Sequence, residues 1–182
     1  MVGRNVVRAA PSKVKAVEEL AIPTNVGEVR SFLGLAGYLR GFVPNFSHIT
    51  APISDLLQDP QYSSKRARMK KVPWAPQQTT AFLEVIKRLP THPVLVFPDW
   101  NQPLTLHTDA STLATAAVLM QEVDGGRRHG PVGYHSKRLS RAQQNASAND
   151  REVLGVLHAV EHFEIYLQHR QFTLITDCSA LL

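Results

Sequence analysis

Leu104-Thr105-Leu106-His107-Thr108-Asp109-Ala110-Ser111 reads as a strand that runs into a loop and leaves one carboxylate, Asp109, at its end. A second stretch of the same kind comes late, Phe172-Thr173-Leu174-Ile175-Thr176-Asp177. Between them Val153, Leu154, Val156, Leu157, Val160, Phe163 and Leu167 form the wide apolar stripe of a helix that packs on a sheet. Ser147, with Asp150 three residues on, caps that helix, and Glu152 lies near its start. A helix between the two strands allows the second to lie parallel to the first. Asp109 and Asp177 then stand at one edge of the sheet, with Glu152 offered to the same point. Three clustered carboxylates raise each other's pKa and repel. The usual remedy is a divalent cation held by oxygen ligands.

Working outward, Val94-Leu95-Val96-Phe97 is a short apolar run closed by Pro98-Asp99, and Pro103 opens the strand to Asp109. Thr115 to Val123 reads as a second strand and Pro131 to Leu139 as a third. Asp124-Gly125-Gly126 between them suits a hairpin turn. Three strands with hairpin connections are thus followed by a helix and a fourth strand. Upstream, residues 1–11 show no periodicity and are expected to be a flexible tail. Ser12 to Leu20 suits a short helix, broken by Ile22-Pro23-Thr24. Asn25 and Glu28 form a capping-box variant ahead of Val29, Phe32, Leu33, Ala36 and Leu39, a helical stripe. Gly34 and Gly37 inside that helix suggest a close helix contact. After a turn at Phe42 to Asn45, residues Phe46, Ile49, Ile53, Leu56 and Leu57 make a second amphipathic helix, completing an αα-hairpin. Asp59 to Val72 is a linker with five basic residues in Lys65-Arg66-Ala67-Arg68-Met69-Lys70-Lys71. These suit phosphate contact, or simply a solvated charged loop. Ala75-Pro76 opens a further helix with Phe82, Ile86 and Leu89 buried, ended by Pro90 and Pro93. The division is a tail over 1–11, a helical segment over 12–58, a basic linker over 59–73 and an α/β domain over 74–182.

The 182 residues include 20 Lys and Arg against 15 Asp and Glu, a formal charge of +5. That excess suits a polyanionic partner without demanding one. The single cysteine, Cys178, excludes an internal disulfide and points to a reducing setting, cytoplasmic or nuclear. No apolar run has membrane length, so no membrane partner is expected.

At this point a family is recognisable. Val29 to Leu57 resembles the thumb region of gypsy-type retrotransposon reverse transcriptases. Pro93-Val94-Leu95, Pro98-Asp99, Thr108-Asp109-Ala110-Ser111, Tyr134-His135-Ser136-Lys137, Glu152, Glu161-His162-Phe163 and Thr176-Asp177 resemble the N-terminal part of the ribonuclease H domain that follows it. The resemblance implies an α/β fold: a truncated ribonuclease-H-like mixed sheet of three antiparallel strands, a helix and a fourth strand parallel to the first, preceded by a small helical thumb-like segment. It implies two Mg²⁺ (or Mn²⁺) ions on Asp109, Glu152 and Asp177, and hydrolysis of RNA in RNA–DNA hybrids during reverse transcription. A hybrid is read by shape and 2′-hydroxyls, so no base code is needed. The family's fourth acid is expected from a segment beyond Leu182. The implied partners are an RNA–DNA hybrid or other nucleic acid and the remainder of a Pol polyprotein. Ala116 stands where the family usually has Gly and Cys178 where it has His, and neither change removes a ligand. The Tyr-x-Asp-Asp polymerase motif does not occur in this sequence. The isolated chain is therefore expected to be weak or inactive as a nuclease and unable to polymerise DNA. The competing reading is a domesticated or truncated retroelement remnant that only binds nucleic acid or protein.

Other residues carry weaker readings. Asn149 suits a hydrogen bond to a sugar or base edge, or a plain capping role. Arg30, Arg40, Lys65, Arg66, Arg68, Lys70 and Lys71 suit a grip on a duplex backbone, or a solvated surface. His158-Ala159-Val160-Glu161-His162 matches a zinc-hydrolase spacing, but the helix stripe already explains both histidines and supplies no third ligand. Trp74 and Trp100 read as packing anchors rather than stacking platforms for bases.

Overall fold

The computed structural model describes residues 2–3, 6–91, 95–123 and 128–178. The Asp124-Gly125-Gly126 turn, Pro93 and the first residue of the apolar run, Val94, lie outside these residues. In chain order come β1 (Val2–Gly3), β2 (Val6–Val7), α1 (Pro11–Glu18), α2 (Val26–Tyr38), α3 (Phe46–Ile49), α4 (Ala51–Leu56), α5 (Pro76–Thr91) and β3 (Leu95–Val96). The second half holds β4 (Leu104–Ala110), β5 (Ala114–Val123), β6 (Arg128–Arg138), α6 (Arg141–Gln144), α7 (Ala148–His162), α8 (Glu164–Leu167) and β7 (Phe172–Ile175).

The helical half condenses on one apolar cluster. Val29, Phe32 and Ala36 of α2, with Leu39 at its C-terminal end, bury against Val17, Val43, Phe46, Ile53, Phe82, Val85 and Leu89. Asn25 starts α2: its side-chain oxygen accepts from the Glu28 N–H at 3.0 Å. The Glu28 carboxylate reaches back one residue further than a standard box, accepting from the Thr24 N–H at 2.7 Å and hydroxyl at 2.9 Å. The helix expected after the turn is split into α3 and α4 at Thr50. Pro52, inside the first turn of α4, has no N–H to continue the ladder, so the chain restarts a helix there. Gly34 and Gly37 make no close contact; a Cβ at either would meet nothing within 4 Å. The helix-contact expectation for them is thus corrected.

The linker is ordered rather than loose. Tyr62 and Ala67 are buried, and Lys65–Met69 forms a 3-10 helix. Val26 N–H donates to the Lys70 carbonyl at 3.0 Å and Val72 N–H to that of Thr24 at 3.2 Å. The N-terminal residues also differ from a featureless tail: β1, β2 and β3 form a small antiparallel sheet, with Val7 opposite Leu95 and Val6 opposite Val96. Two-residue strands are too short to show any period, which is why the sequence hides them.

The main sheet has the order β6-β5-β4-β7. β4, β5 and β6 pair antiparallel, and β7 lies parallel to β4, with Leu104 opposite Phe172 and His107 opposite Ile175. Leu104, Leu106, Ala117, Leu119 and Val132 project to one face and bury against Ala159, Phe163 and Leu167. The stripe of α7 is narrower than expected. Gly155, His158 and Ala159 are buried, whereas Val153 and Leu157 are 40% and 50% exposed. Part of the opposite sheet face is covered by the helical half. Ser47 N–H donates to the Ser136 hydroxyl oxygen at 2.9 Å, and the Ser47 hydroxyl donates to the Ser136 carbonyl at 3.0 Å. Arg40 also donates to that carbonyl, and Arg138 pairs with Asp55 at 2.5 Å.

Candidate metal centre

Each acid is set in place by a different element. Asp109 is the penultimate residue of β4, where Ser111 turns the chain by accepting from the N–H groups of Leu113 at 3.2 Å and Ala114 at 3.0 Å. Asp177 lies two residues beyond β7, and extending the parallel register from His107 and Ile175 places it beside Asp109. Glu152 sits in the first turns of α7, whose N-terminus is capped by Ser147 accepting from Asp150 N–H at 3.1 Å. The helix rests on β4 at Gly155, where a Cβ would stand in ordinary contact, 3.6 Å from the Asp109 carbonyl oxygen and 3.7 Å from Ala110. Buried Cys178 ties the two ends together, its thiol donating to the Asn149 carbonyl at 3.9 Å.

The result is one oxygen from each of Asp109, Glu152 and Asp177, all within 4.8 Å of one another. Asp109 and Asp177 are exposed and Glu152 is partly buried. Glu152 Oε2 is buried without a hydrogen-bond partner. Burial pushes the Glu152 carboxyl above the ordinary carboxylate range, the negative charges of Asp177 and Asp109 push it further, and the Ala110 N–H works against them. Glu152, with one desolvated and unpartnered oxygen, makes with the two aspartates a set of hard oxygen donors that fits a divalent cation.

The other expected residues fall elsewhere. The Asn149 side chain is exposed at the start of α7, while its carbonyl receives the Cys178 thiol. Arg30 donates to the carbonyls of Tyr62, Ser63 and Ser64 and so holds the linker on α2. Arg40 holds the helical half on Ser136. Lys65, Arg66, Arg68, Lys70 and Lys71 are exposed on the linker, with Lys70 reaching the Gln61 carbonyl at 3.4 Å. His158 Nδ1 is 3.0 Å from the Thr115 hydroxyl, and the His162 ring stacks on His135 with centroids 4.0 Å apart. Those contacts account for both imidazoles of the zinc-like spacing. Trp74 packs edge-on to Phe82, and Trp100 stacks on Tyr166 under the Arg170 guanidinium.

Two residues at the site escaped the sequence reading. Asn45 and His48 line a cavity of about 190 Å³ together with Asp109, Ser111 and Ser136. Their one sequence signal is the Pro44-Asn45 turn, where Asn45 adopts a left-handed φ of 55°.

Residues 74–174 match the family described as the RNase H-like domain found in reverse transcriptase. The chain belongs to that family. Its curated relatives include the Tf2-3 and Tf2-4 transposon polyproteins of Schizosaccharomyces pombe (strain 972 / ATCC 24843), each 38% identical over 157 residues. The match takes in 85% of this chain and 11% of each polyprotein, so the chain spans about a tenth of those relatives' length. Among solved structures it is similar in fold to a foamy viral protease–reverse transcriptase dRH in complex with double-stranded DNA. There the TM-score is 0.74 and the identity 20%, covering 92% of this chain and 28% of that one. A foamy viral protease–reverse transcriptase in complex with an RNA/DNA hybrid gives a TM-score of 0.71 at 20% identity, over 91% of this chain and 21% of that one. The expected α/β fold and retroelement relationship are therefore borne out for this RNase H-like member. No described helix is long and apolar enough to cross a membrane.

Proposed function

We propose that this chain is the thumb-like and ribonuclease H portion of a retroelement reverse transcriptase, and that Asp109, Glu152 and Asp177 bind Mg²⁺ or Mn²⁺ to cut the RNA of RNA–DNA hybrids. The supporting observation is the convergence of three carboxylate oxygens within 4.8 Å, one of them on a residue with an unpartnered buried oxygen. A divalent cation there supplies charge that polarises a phosphodiester and lowers the pKa of water. The chain's part is placement. Asp109 and Asp177 face the solvent from which substrate arrives, and Glu152 anchors the set from the protein side. The basic excess favours a polyanion, and the exposed cations of the linker, Lys65 to Lys71, are the positions for non-specific phosphate contacts. We place the activity inside the cell, in cytoplasm or nucleus, as part of a Pol polyprotein.

The test is incubation of the purified chain with a labelled RNA–DNA hybrid and Mg²⁺ or Mn²⁺, beside Asp109→Asn. Slow cleavage of the RNA strand that disappears in the variant supports the nuclease. Tight hybrid binding with no cleavage by the parent chain instead supports a module that only binds nucleic acid.

A further inference from the structure

We infer that Asn45 and His48, carried by the helical half, form the far wall of the nuclease cleft and contact the sugar–phosphate backbone of the strand whose phosphate lies at Asp109. This deepens the proposed function and rests on it for the identity of the ligand. Asn45 and His48 are both exposed, and they line the 190 Å³ cavity together with Asp109. A second cavity of about 310 Å³ shares Asn45 and Asp109 and continues along the same sheet face past His107 and Tyr134. Asp109 is the one acid among the residues lining either cavity. The far wall instead presents an amide and an imidazole, groups that donate hydrogen bonds to phosphate and ribose oxygens.

The wall is also built to hold its position. Ser47, between the two residues, makes three hydrogen bonds with Ser136 of β6, and Arg40 reaches the Ser136 carbonyl. β6 is two strands from β4 in a continuous ladder, with Ala116 of β5 opposite both Asp109 and Ser136. The position of Asn45 and His48 relative to Asp109 is therefore fixed through backbone pairing rather than through a mobile loop. Asn45 in left-handed backbone geometry turns the chain there, a conformation only Asn, Asp and Gly adopt readily.

The experiment measures binding of a fluorescent RNA–DNA hybrid to the whole chain by anisotropy, with Ca²⁺ replacing Mg²⁺ and at several salt concentrations. His48→Ala and Asn45→Gly, the latter keeping the backbone turn, are each expected to weaken binding by about five- to tenfold, the size of one lost polar contact. Their melting temperatures and Mn²⁺ affinities stay at the parent values. His48→Lys is expected to retain binding and to steepen the dependence of log Kd on log salt by about one. Parent-like hybrid binding in both His48→Ala and Asn45→Gly overturns the inference, and intact Mn²⁺ binding in the same proteins leaves the metal reading standing. Weakened hybrid binding in a chain that binds no Mn²⁺ upholds the cleft wall while the metal reading falls. A parent chain that binds no hybrid overturns both.

Discussion

At Glu152, burial and two neighbouring aspartates raise the carboxyl's hold on a proton, and one of its oxygens has no partner. Without a cation, this cluster works against folding. Asp109→Asn is expected to raise the melting temperature of the metal-free chain by about 2–4 °C, the shift that ~1 kcal/mol produces in a domain of this size. The same variant is expected to lose the added stability that Mn²⁺ gives the parent, and differential scanning fluorimetry with and without Mn²⁺ reads both effects. His135 behaves differently. Burial first, then the charges of His162 and Arg40, lower its pKa from 6.5 to about 3. The unfolded chain then binds more protons than the folded one between those values, so stability rises with pH and is lost as pH falls from about 6.5 toward 3. His162 is shifted the same way by burial and Arg40. His135→Phe keeps a ring against His162 and is expected to flatten, without abolishing, the loss of stability from pH 7 to pH 5 in urea titrations.

Among the elements, α2 offers a direct gain. Gly34 and Gly37 sit in helix with open space where a Cβ would go. Gly34→Ala and Gly37→Ala are each expected to stabilise by ~1 kcal/mol, measured by chemical denaturation. A weaker or opposite effect would mean that something covers this helix face. β4, α7 and β7 were legible in the sequence because each is long enough to show its period, and because matching Thr-Asp endings marked where the acids go. The split between α3 and α4 was less legible: the apolar spacing runs unbroken across Pro52, and only the missing N–H interrupts it. β1 and β2 were hidden because two residues carry no pattern and their partner, β3, is about 90 residues away. The cleft wall was illegible for a related reason. Asn45 and His48 share a cavity with Asp109 only through the packing of distant segments, which local spacing does not encode.

At the scale of the whole molecule, helical half and sheet are joined through a few polar contacts centred on Ser136, itself buried. Ser136→Ala removes the acceptor for the Ser47 N–H and leaves that group to be resolvated. The expected loss is about 1–3 kcal/mol by chemical denaturation. Calorimetry is expected to show a broader transition as the two halves uncouple. Arg138→Met breaks the pair with half-exposed Asp55 but also removes two buried guanidinium nitrogens that have no partner, so the expected change in stability is at most ~1 kcal/mol.

Strand β7 stands at the rim of the main sheet, and among the described residues nothing pairs with its outer side. Among the described residues its outward amides and carbonyls form an unpaired edge that fits an extended peptide, and Ile175, 47% exposed, adds an apolar foothold beside them. Concentrated solutions of the chain should therefore self-associate along that rim, visible as a rise in scattered light. A lysine at position 175 is the change that keeps the copies apart.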